Sequence, residues 1–417
     1  MAFDNPGVFS SWRDAFLLGG ARTPFTDLNG ALSGVSPIDL GIKAARAALQ
    51  KTGAAPGEIG TVIAGSMAQA SFDAYMLARH VGLYAGVPEE VPAHLVQRIC
   101  GTGLEVLSQA GDAIAHKGID AALCVGAESM SRNPVAAYTH RGGFRMGQVE
   151  FKDFLWEALL DPSCDVTMGG TAENLASRYS IARREVDVYA ERSFARALQA
   201  RAEGFFDDEI VAVGSETFSS PGRKDRAVRL DRKIEAVIED SHPRATSVET
   251  LAKIRPAFGG VQTGGNSSAV VDGAAGAVVV SAAYLKRTGK APLARMIGAV
   301  AVGCPPAIMG IGPAPAIRAL LERTGLKLNE IDRIEINEAF GAQVLACVRE
   351  LGLDEARLNV NGGAIAIGHP LGATGVRLAL TLARELQRRG LRYGIASACI
   401  GGGQGIAMLI ENGAAAR

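Results

Sequence analysis

Charge of one sign, aromatic side chains, histidine and long apolar runs are all scarce in this chain of 417 residues. Lysine plus arginine equals aspartate plus glutamate at 43 each, and aromatics make up 6%. With no basic face and no interleaved aromatics, nucleic acid is not an expected partner. No apolar run reaches the roughly 18 residues that a membrane-spanning helix needs. The first fourteen residues carry Asp4 and Asp14 and lack an apolar core, so no secretory signal is expected. The six cysteines are widely spread and do not form metal-like pairs. They read as reduced thiols of a cytoplasmic protein, with no bound metal.

Glycine is abundant, at 51 residues, well above the ordinary share of roughly 7%. It occurs in short motifs, not in a repeat, which excludes collagen-like and low-complexity classes. Alanine-rich stretches alternate with Val/Ile-rich runs, the texture of a layered α/β protein in which helices approach a sheet closely. At 48% hydrophobic residues, the chain can bury two or three domains' worth of core.

Three glycine-flanked loops hold reactive side chains: Ile99 to Gly103 around Cys100, Ile367 to Gly372 around His369, and Cys399 to Gly405. A thiol, an imidazole and a second thiol are the parts needed for covalent acyl transfer with proton transfer at carbon. Glycine beside each lets backbone N–H groups come close to a substrate. Cys100 is the candidate nucleophile. A helix N-terminus and a nearby imidazole are expected to depress its titration from the usual value of about 8.5. His369 is the candidate base, expected to hold Cys100 as a thiolate–imidazolium pair. Cys399 is the candidate acid/base at the substrate's α-carbon or at an entering thiol.

The chain also repeats itself. RAALQKTG at Arg46 to Gly53 matches RALLERTG at Arg318 to Gly325, an offset of 272. The same offset superposes Glu58 and Ile59 on Glu330 and Ile331, Thr102 and Gly103 on Thr374 and Gly375, and Gly118 on Gly390. Two copies of one α/β unit are expected, about 46–130 and 318–402. In each, a helix (N-capped at Ser36 and stopped at Gly53 in the first) precedes a strand at 61–64 or 333–336. A loop opening a helix at 103–116 or 375–388 follows, then a strand at 121–125 or 393–396. Alternation of strand and helix predicts parallel pairing. Between the copies, 171–178 and 183–203 read as helices with charged faces, and 219–233 is polar and basic. Organisation is therefore expected as 1–131 completed by about 258–284, a mostly helical insertion at 132–257, and a second half at 285–417.

In this order along the chain stand Arg22-Thr23-Pro24-Phe25, Cys100-Gly101-Thr102-Gly103, Met168-Gly169 leading to Thr171-Ala172-Glu173-Asn174, and His242-Pro243-Arg244. Arg255-Pro256-Ala257-Phe258, Gly264 to Ser268, Asn337-Glu338-Ala339-Phe340, Gly362 to Gly375 and Cys399 to Gly405 follow. Together they resemble the thiolase family over nearly the whole length. The resemblance implies a duplicated, layered αβαβα fold with an inserted loop domain. It implies an acetyl-CoA C-acyltransferase that cleaves 3-ketoacyl-CoA with coenzyme A, reversibly, through an acyl-cysteine. Coenzyme A would be co-substrate, with no permanent cofactor, and the assembly a homodimer or homotetramer.

Residue by residue, the resemblance gives Asn337 the task of holding a water that forms an oxyanion hole with the histidine. It gives the N–H groups of Cys100 and Gly401 a second hole, and Glu338 a supporting place. Ser268 falls near the pantetheine, and Met168, Met309 and Phe340 line the acyl or pantetheine pocket. Independently, the basic run Arg223, Lys224, Arg226 and Arg229 could meet nucleotide phosphates. Thr167-Met168-Gly169 stands where acetoacetyl-CoA-forming members commonly have His-Met-Gly, and Cys304-Pro305 where an Asp often precedes the proline. Both departures favour a degradative enzyme of broader chain length. Two rivals are a decarboxylating ketoacyl or hydroxymethylglutaryl-CoA synthase, which lacks a counterpart of Cys399, and a non-catalytic acyl-CoA or lipid-binding protein.

Overall fold

A computed structural model describes residues 7–68, 70–137 and 142–414. Its first half contains strands β1 (Val8–Arg22), β2 (Thr61–Gly65), β3 (Ala93–Val96) and β4 (Ala121–Ser129), with helices α1 (Pro37–Thr52), α2 (Leu77–Tyr84) and α3 (Thr102–His116). The insertion supplies α4 (Met168–Arg178) and α5 (Arg183–Ala202). The chain then forms β5 (Val271–Ser281), β6 (Ala294–Gly303), α6 (Pro313–Thr324), β7 (Arg333–Ile336), α7 (Gly341–Leu351), α8 (Leu371–Arg389), β8 (Tyr393–Ile400) and β9 (Gln404–Asn412).

Local chemistry explains the ends of these elements. Ser36 Oγ accepts from Ile38 N, Pro37 occupies the first turn of α1, and Gly53 stops the helix with φ +63°. The 272-residue offset carries this architecture into the second half. Both α1 and α6 end on threonine before a left-handed glycine, β2 and β7 begin at Thr61 and Arg333, and β4 and β8 begin at Ala121 and Tyr393.

The nine strands form one hydrogen-bonded sheet in the order β7-β8-β9-β6-β1-β5-β4-β2-β3, with the short strand Thr26–Asp27 attached to β5. Parallel pairing holds only toward the two ends, where β2 lies between β3 and β4 and β7 lies beside β8. Within each repeat unit the strands that alternate with helices, β2 with β4 and β7 with β8, pair in parallel as that alternation predicts, and the centre of the sheet, built by strands outside the alternation, is antiparallel. The reason is connectivity. A three-residue turn reverses the chain between β8 and β9, and β5 enters beside β4 only after the whole insertion.

Helices α3 and α8 lie between the two halves of the sheet, each touching strands of both. Helices α1 and α2 cover the outer face of the first half and α6 that of the second. With both faces covered, β4 and β5 are buried at every position, which is why they read as continuous small and apolar runs. Where α3 and α8 cross, their backbones touch. A Cβ on Gly375 would lie 2.1 Å from Leu104 N, and one on Gly103 would lie 2.6 Å from Val376 N.

The insertion is less helical than its charge pattern suggests. Besides α4 and α5 it holds two short helices and four two-stranded ladders of two or three residues per strand. Downstream of α5 the sequence lacks an apolar stripe long enough for a helix. Ion pairs and capped turns hold it instead, including buried Arg22 against Glu209 and Asp240.

Candidate active site

Cys100 sits in a single tight turn, Ile99–Gly101, directly before α3. Ile99 takes φ +46°, a conformation that β-branched residues avoid and that marks a constrained position. Thr102 braces the turn, its Oγ1 donating to Ile99 O (2.6 Å) and accepting from Arg98 N (2.9 Å). The Cys100 thiol is buried, and the backbone N–H of Gly401 acts on it to favour the thiolate.

Gly401 opens the turn between β8 and β9. Gly402 and Gly403 follow with φ +81° and +84°, and a Cβ on Gly403 would lie 2.2 Å from Cys304 O. Most of the glycine run is thus demanded by the turn itself. Its result is that one N–H faces the nucleophile.

Cys399 lies at the end of β8, opposite Gly405, and is fully buried. It packs with Met168, Met309 and Ala339, flanked by Leu159 and Phe340. Burial is the largest cause that holds its thiol well above the ordinary range, and the neighbouring Cys100 adds to it.

His369 follows Gly368 (φ +104°) and precedes α8; its N–H donates to Ala269 O (3.0 Å). Asn337, just past β7, places Nδ2 3.2 Å from His369 Nε2. Asn337 Oδ1 is buried and has no protein partner. On the other side of the ring, Nδ1 lies 2.6 Å from Thr374 Oγ1. Leu371, two residues beyond His369, packs against Cys100.

These contacts correct the expected ion pair. Burial pushes the Cys100 thiol up to about 11, with Glu128 adding to the rise and the Gly401 N–H opposing it. Burial, and then the charge of Arg377, pushes His369 down to about 3. Desolvation outweighs the helix N-terminus, so the resting pair is neutral thiol and neutral imidazole.

An apolar cleft leads to this cluster. His369, Ser268, Met168 and Phe340 line it, together with Trp156 and Phe258. Met309 stays behind Cys399 and does not reach the cleft wall. The basic run also stays away. Arg223 binds Glu89 and Ser220 Oγ, Arg226 binds Asp39 and Asp73, and the exposed Lys224 offers its carbonyl to Tyr84. None of Arg223, Lys224, Arg226 and Arg229 lines the cleft, because nearer carboxylates and turns claim the two bound arginines.

Glu338 is a brace. Its carboxylate accepts from Tyr189 and Ser193 on α5, from Asn359, and from the Ile365 N–H in the short helix Ala364–Ile367 before His369. Two residues escape a sequence reading. Glu128 accepts from Ser66 Oγ and from the N–H groups of Met67, Ala68 and Gly372, tying the first half to the start of α8. Thr374 buttresses the imidazole. The only signal for it is its repeat equivalence to Thr102. Among the described residues no group of three or more His, Cys, Asp or Glu is placed to hold a metal, and no helix is long and apolar enough to cross a membrane.

Residues 15–283 match the family model described as the thiolase N-terminal domain, and residues 290–412 match that of the thiolase C-terminal domain. The chain is 42% identical over 404 residues to the mitochondrial 3-ketoacyl-CoA thiolase of Bos taurus, covering 96% of this chain and 98% of that one. It is 41% identical over 402 residues to the acetyl-CoA acetyltransferase of Pseudomonas aeruginosa, covering 95% and 99%. Among solved structures, human mitochondrial 3-ketoacyl-CoA thiolase in complex with CoA aligns with a TM-score of 0.89 at 41% identity, covering 96% and 98%.

Proposed function

Since this chain belongs to the thiolase family and is an acetyl-CoA C-acyltransferase, we propose that Cys100, His369, Cys399, Asn337 and Gly401 divide the chemistry of 3-ketoacyl-CoA thiolysis as follows. His369 Nε2 takes the Cys100 proton as sulfur attacks the 3-keto carbon. The resulting oxyanion is met by the Gly401 and Cys100 N–H groups. Preorganised donors of this kind are each worth about 3–4 kcal/mol. The C2–C3 bond then breaks. The electron pair stays on the acetyl-CoA fragment as an enolate, which the His369–Asn337 side of the site stabilises. Cys399 gives that carbon its proton and becomes a thiolate, and acetyl-CoA leaves.

Coenzyme A enters and gives its thiol proton to Cys399. Its sulfur attacks the acyl-Cys100 thioester, and the Cys100 thiolate recovers its proton from His369. The shortened acyl-CoA departs and every group returns to its starting state. The covalent intermediate divides one difficult cleavage into two easier steps.

The observation that carries this reading is the meeting of the Cys100 turn with the turn after Cys399, where a Cβ on Gly101 would lie 2.6 Å from the Ile400 side chain and one on Gly401 3.7 Å from that of Ile99, with Asn337 Nδ2 3.2 Å from His369 Nε2. Burial favours it as well, because a Cys399 thiol held protonated is an acid ready for an enolate. Brief exposure to acetyl-CoA followed by acid quench tests it: the acetyl mass belongs on the Cys100 peptide. Acetylation on any other peptide overturns the assignment. Loss of the Mg²⁺-enolate absorbance of acetoacetyl-CoA on adding coenzyme A separates this enzyme from a mere acyl-CoA-binding protein.

Ser268, Met168 and Phe340 on the cleft wall are the residues we assign to the pantetheine and acyl chain. Thr167 at the same wall, with a side chain smaller than histidine, supports a degradative role on longer acyl chains in fatty-acid β-oxidation. A cytoplasmic site of action accords with six unpaired cysteines. Self-association as a homodimer or homotetramer is supported by large apolar side chains left exposed at Phe72, Tyr75 and Met76 and at Met146, Val149 and Phe151.

A further inference from the structure

We infer that Thr374 is a positioning residue that fixes the His369 imidazole with its proton on Nδ1 and its lone pair on Nε2, by accepting the Nδ1–H while giving its own hydroxyl proton to the Pro370 carbonyl. The inference rests on His369 being the base, and it adds what makes that base competent. The neutral ring has two tautomers, and only one leaves Nε2 able to take a proton.

The geometry around the ring selects that tautomer. Thr374 Oγ1 lies 2.6 Å from Nδ1 and 3.1 Å from Pro370 O, and all three residues are buried. A hydroxyl has one proton. If it goes to Pro370 O, the short contact to the ring must be an Nδ1–H donating to oxygen. Nε2 then carries the lone pair, as its 3.2 Å approach to the Asn337 Nδ2 donor also requires.

The repeat supplies an independent reading of the hydroxyl's polarity. Thr102 is the residue equivalent to Thr374. Its Oγ1 accepts from Arg98 N (2.9 Å), a group that can only donate, so its proton goes to Ile99 O (2.6 Å). Each threonine therefore sends its proton to a carbonyl three or four residues upstream and accepts an N–H from further upstream. In the first half the N–H is a backbone amide that braces the Cys100 turn. In the second half it is the imidazole.

The arrangement also survives the reaction. Once His369 has taken the Cys100 proton, both ring nitrogens are donors, and Nδ1 still needs an acceptor. Thr374 provides it before and after transfer with no rotation of its hydroxyl, so the Nδ1 side of the ring needs no reorganisation in the step.

The test uses two variants and the unaltered protein. Thr374→Val keeps the shape and removes the acceptor. Its single-turnover rate of Cys100 acetylation is expected to fall by about two orders of magnitude, with kcat lowered and KM for acetyl-CoA within twofold. Thr374→Ser is expected to recover activity to within threefold of the parent. In the unaltered protein labelled with ¹⁵N-histidine, the resonance lost in His369→Asn should show a protonated Nδ1 and an unprotonated Nε2. An Nε2–H signal in that spectrum overturns the inference whether or not Thr374→Val folds, and so does a folded Thr374→Val that acetylates within threefold of the parent. Undiminished acetylation in His369→Asn would instead overturn the base assignment, so the two failures are told apart.

Discussion

The Cys100 thiol and the His369 imidazole are both buried beside an apolar cleft, and burial favours the uncharged form of each at rest. This has a direct pH consequence. With the thiol pushed up to about 11, alkylation of the free enzyme by iodoacetamide should rise through the alkaline range with no plateau near neutrality. His369→Asn should leave that profile unshifted, because a neutral imidazole contributes no stabilising charge to a thiolate. A plateau between pH 6 and 9 that disappears in His369→Asn would restore the ion pair. Cys399 makes a separate prediction. Cys399→Ala should still accept an acetyl group from acetyl-CoA at Cys100, since the Gly401 donor and His369 remain. Thiolysis of acetoacetyl-CoA should drop at least 10²-fold for want of a proton at carbon. Stopped-flow acylation and steady-state cleavage read the two steps apart, and normal cleavage would remove Cys399 from the proton path.

The crossing of α3 and α8 sets how close nucleophile and base can come, because each reactive side chain sits within three residues of the start of one of these helices. Gly103 and Gly375 are the equivalent glycines of the two halves and are the point of contact. Gly375→Ala would push a methyl to 2.1 Å from Leu104 N and 2.6 Å from Gly103 C, atoms of backbone that cannot rotate aside. We expect a loss of roughly 3 kcal/mol or more, read as a lowered urea midpoint, with acylation slowed in whatever still folds. Gly390 is the control. It ends α8 with φ +63° and open space around it, so Gly390→Ala should cost only about 1 kcal/mol, the strain of a left-handed alanine. Equal losses at both positions would mean that the crossing is not the tight point. Glu128 works at this scale too, since its carboxylate holds Met67 and Ala68 of the first half and Gly372 of the second at one place.

Across the whole molecule, what the sequence makes legible is what recurs at fixed spacing. The offset of 272 locates α1 with α6, β2 with β7 and β4 with β8, and it puts Cys100 and the His369 loop at equivalent helix starts. Strands β1 and β6 stay hidden because they have no such pairing and their sequences mix Arg, Asp and Gly with apolar residues; only the sheet order reveals that they join the halves. Glu128 and the arginines bound to carboxylates are invisible for another reason: most of their partners lie far away in sequence, and only packing decides which polar group meets which, whereas Thr374 is near its partners His369 and Pro370 and only the turn of α8 brings its hydroxyl to the ring. The joining strand yields a last prediction. β1 bonds to β5 of its own half and to β6 of the other, and α8 packs against strands of both. Residues 285–414 produced alone would therefore expose one face of α8, the free edge of β6 and the surface left by α3. That apolar area exceeds what a half-sized core can offset. The segment should lack near-ultraviolet circular dichroism and should bind a hydrophobic dye. The intact protein should lose secondary structure, near-ultraviolet signal and burial of the Cys100 thiol in one coincident urea transition. Two separated transitions, or a well-packed isolated second half, would mean that the sheet is two independent cores in contact. In that case nothing in β1 would be holding the two reactive helix starts in register.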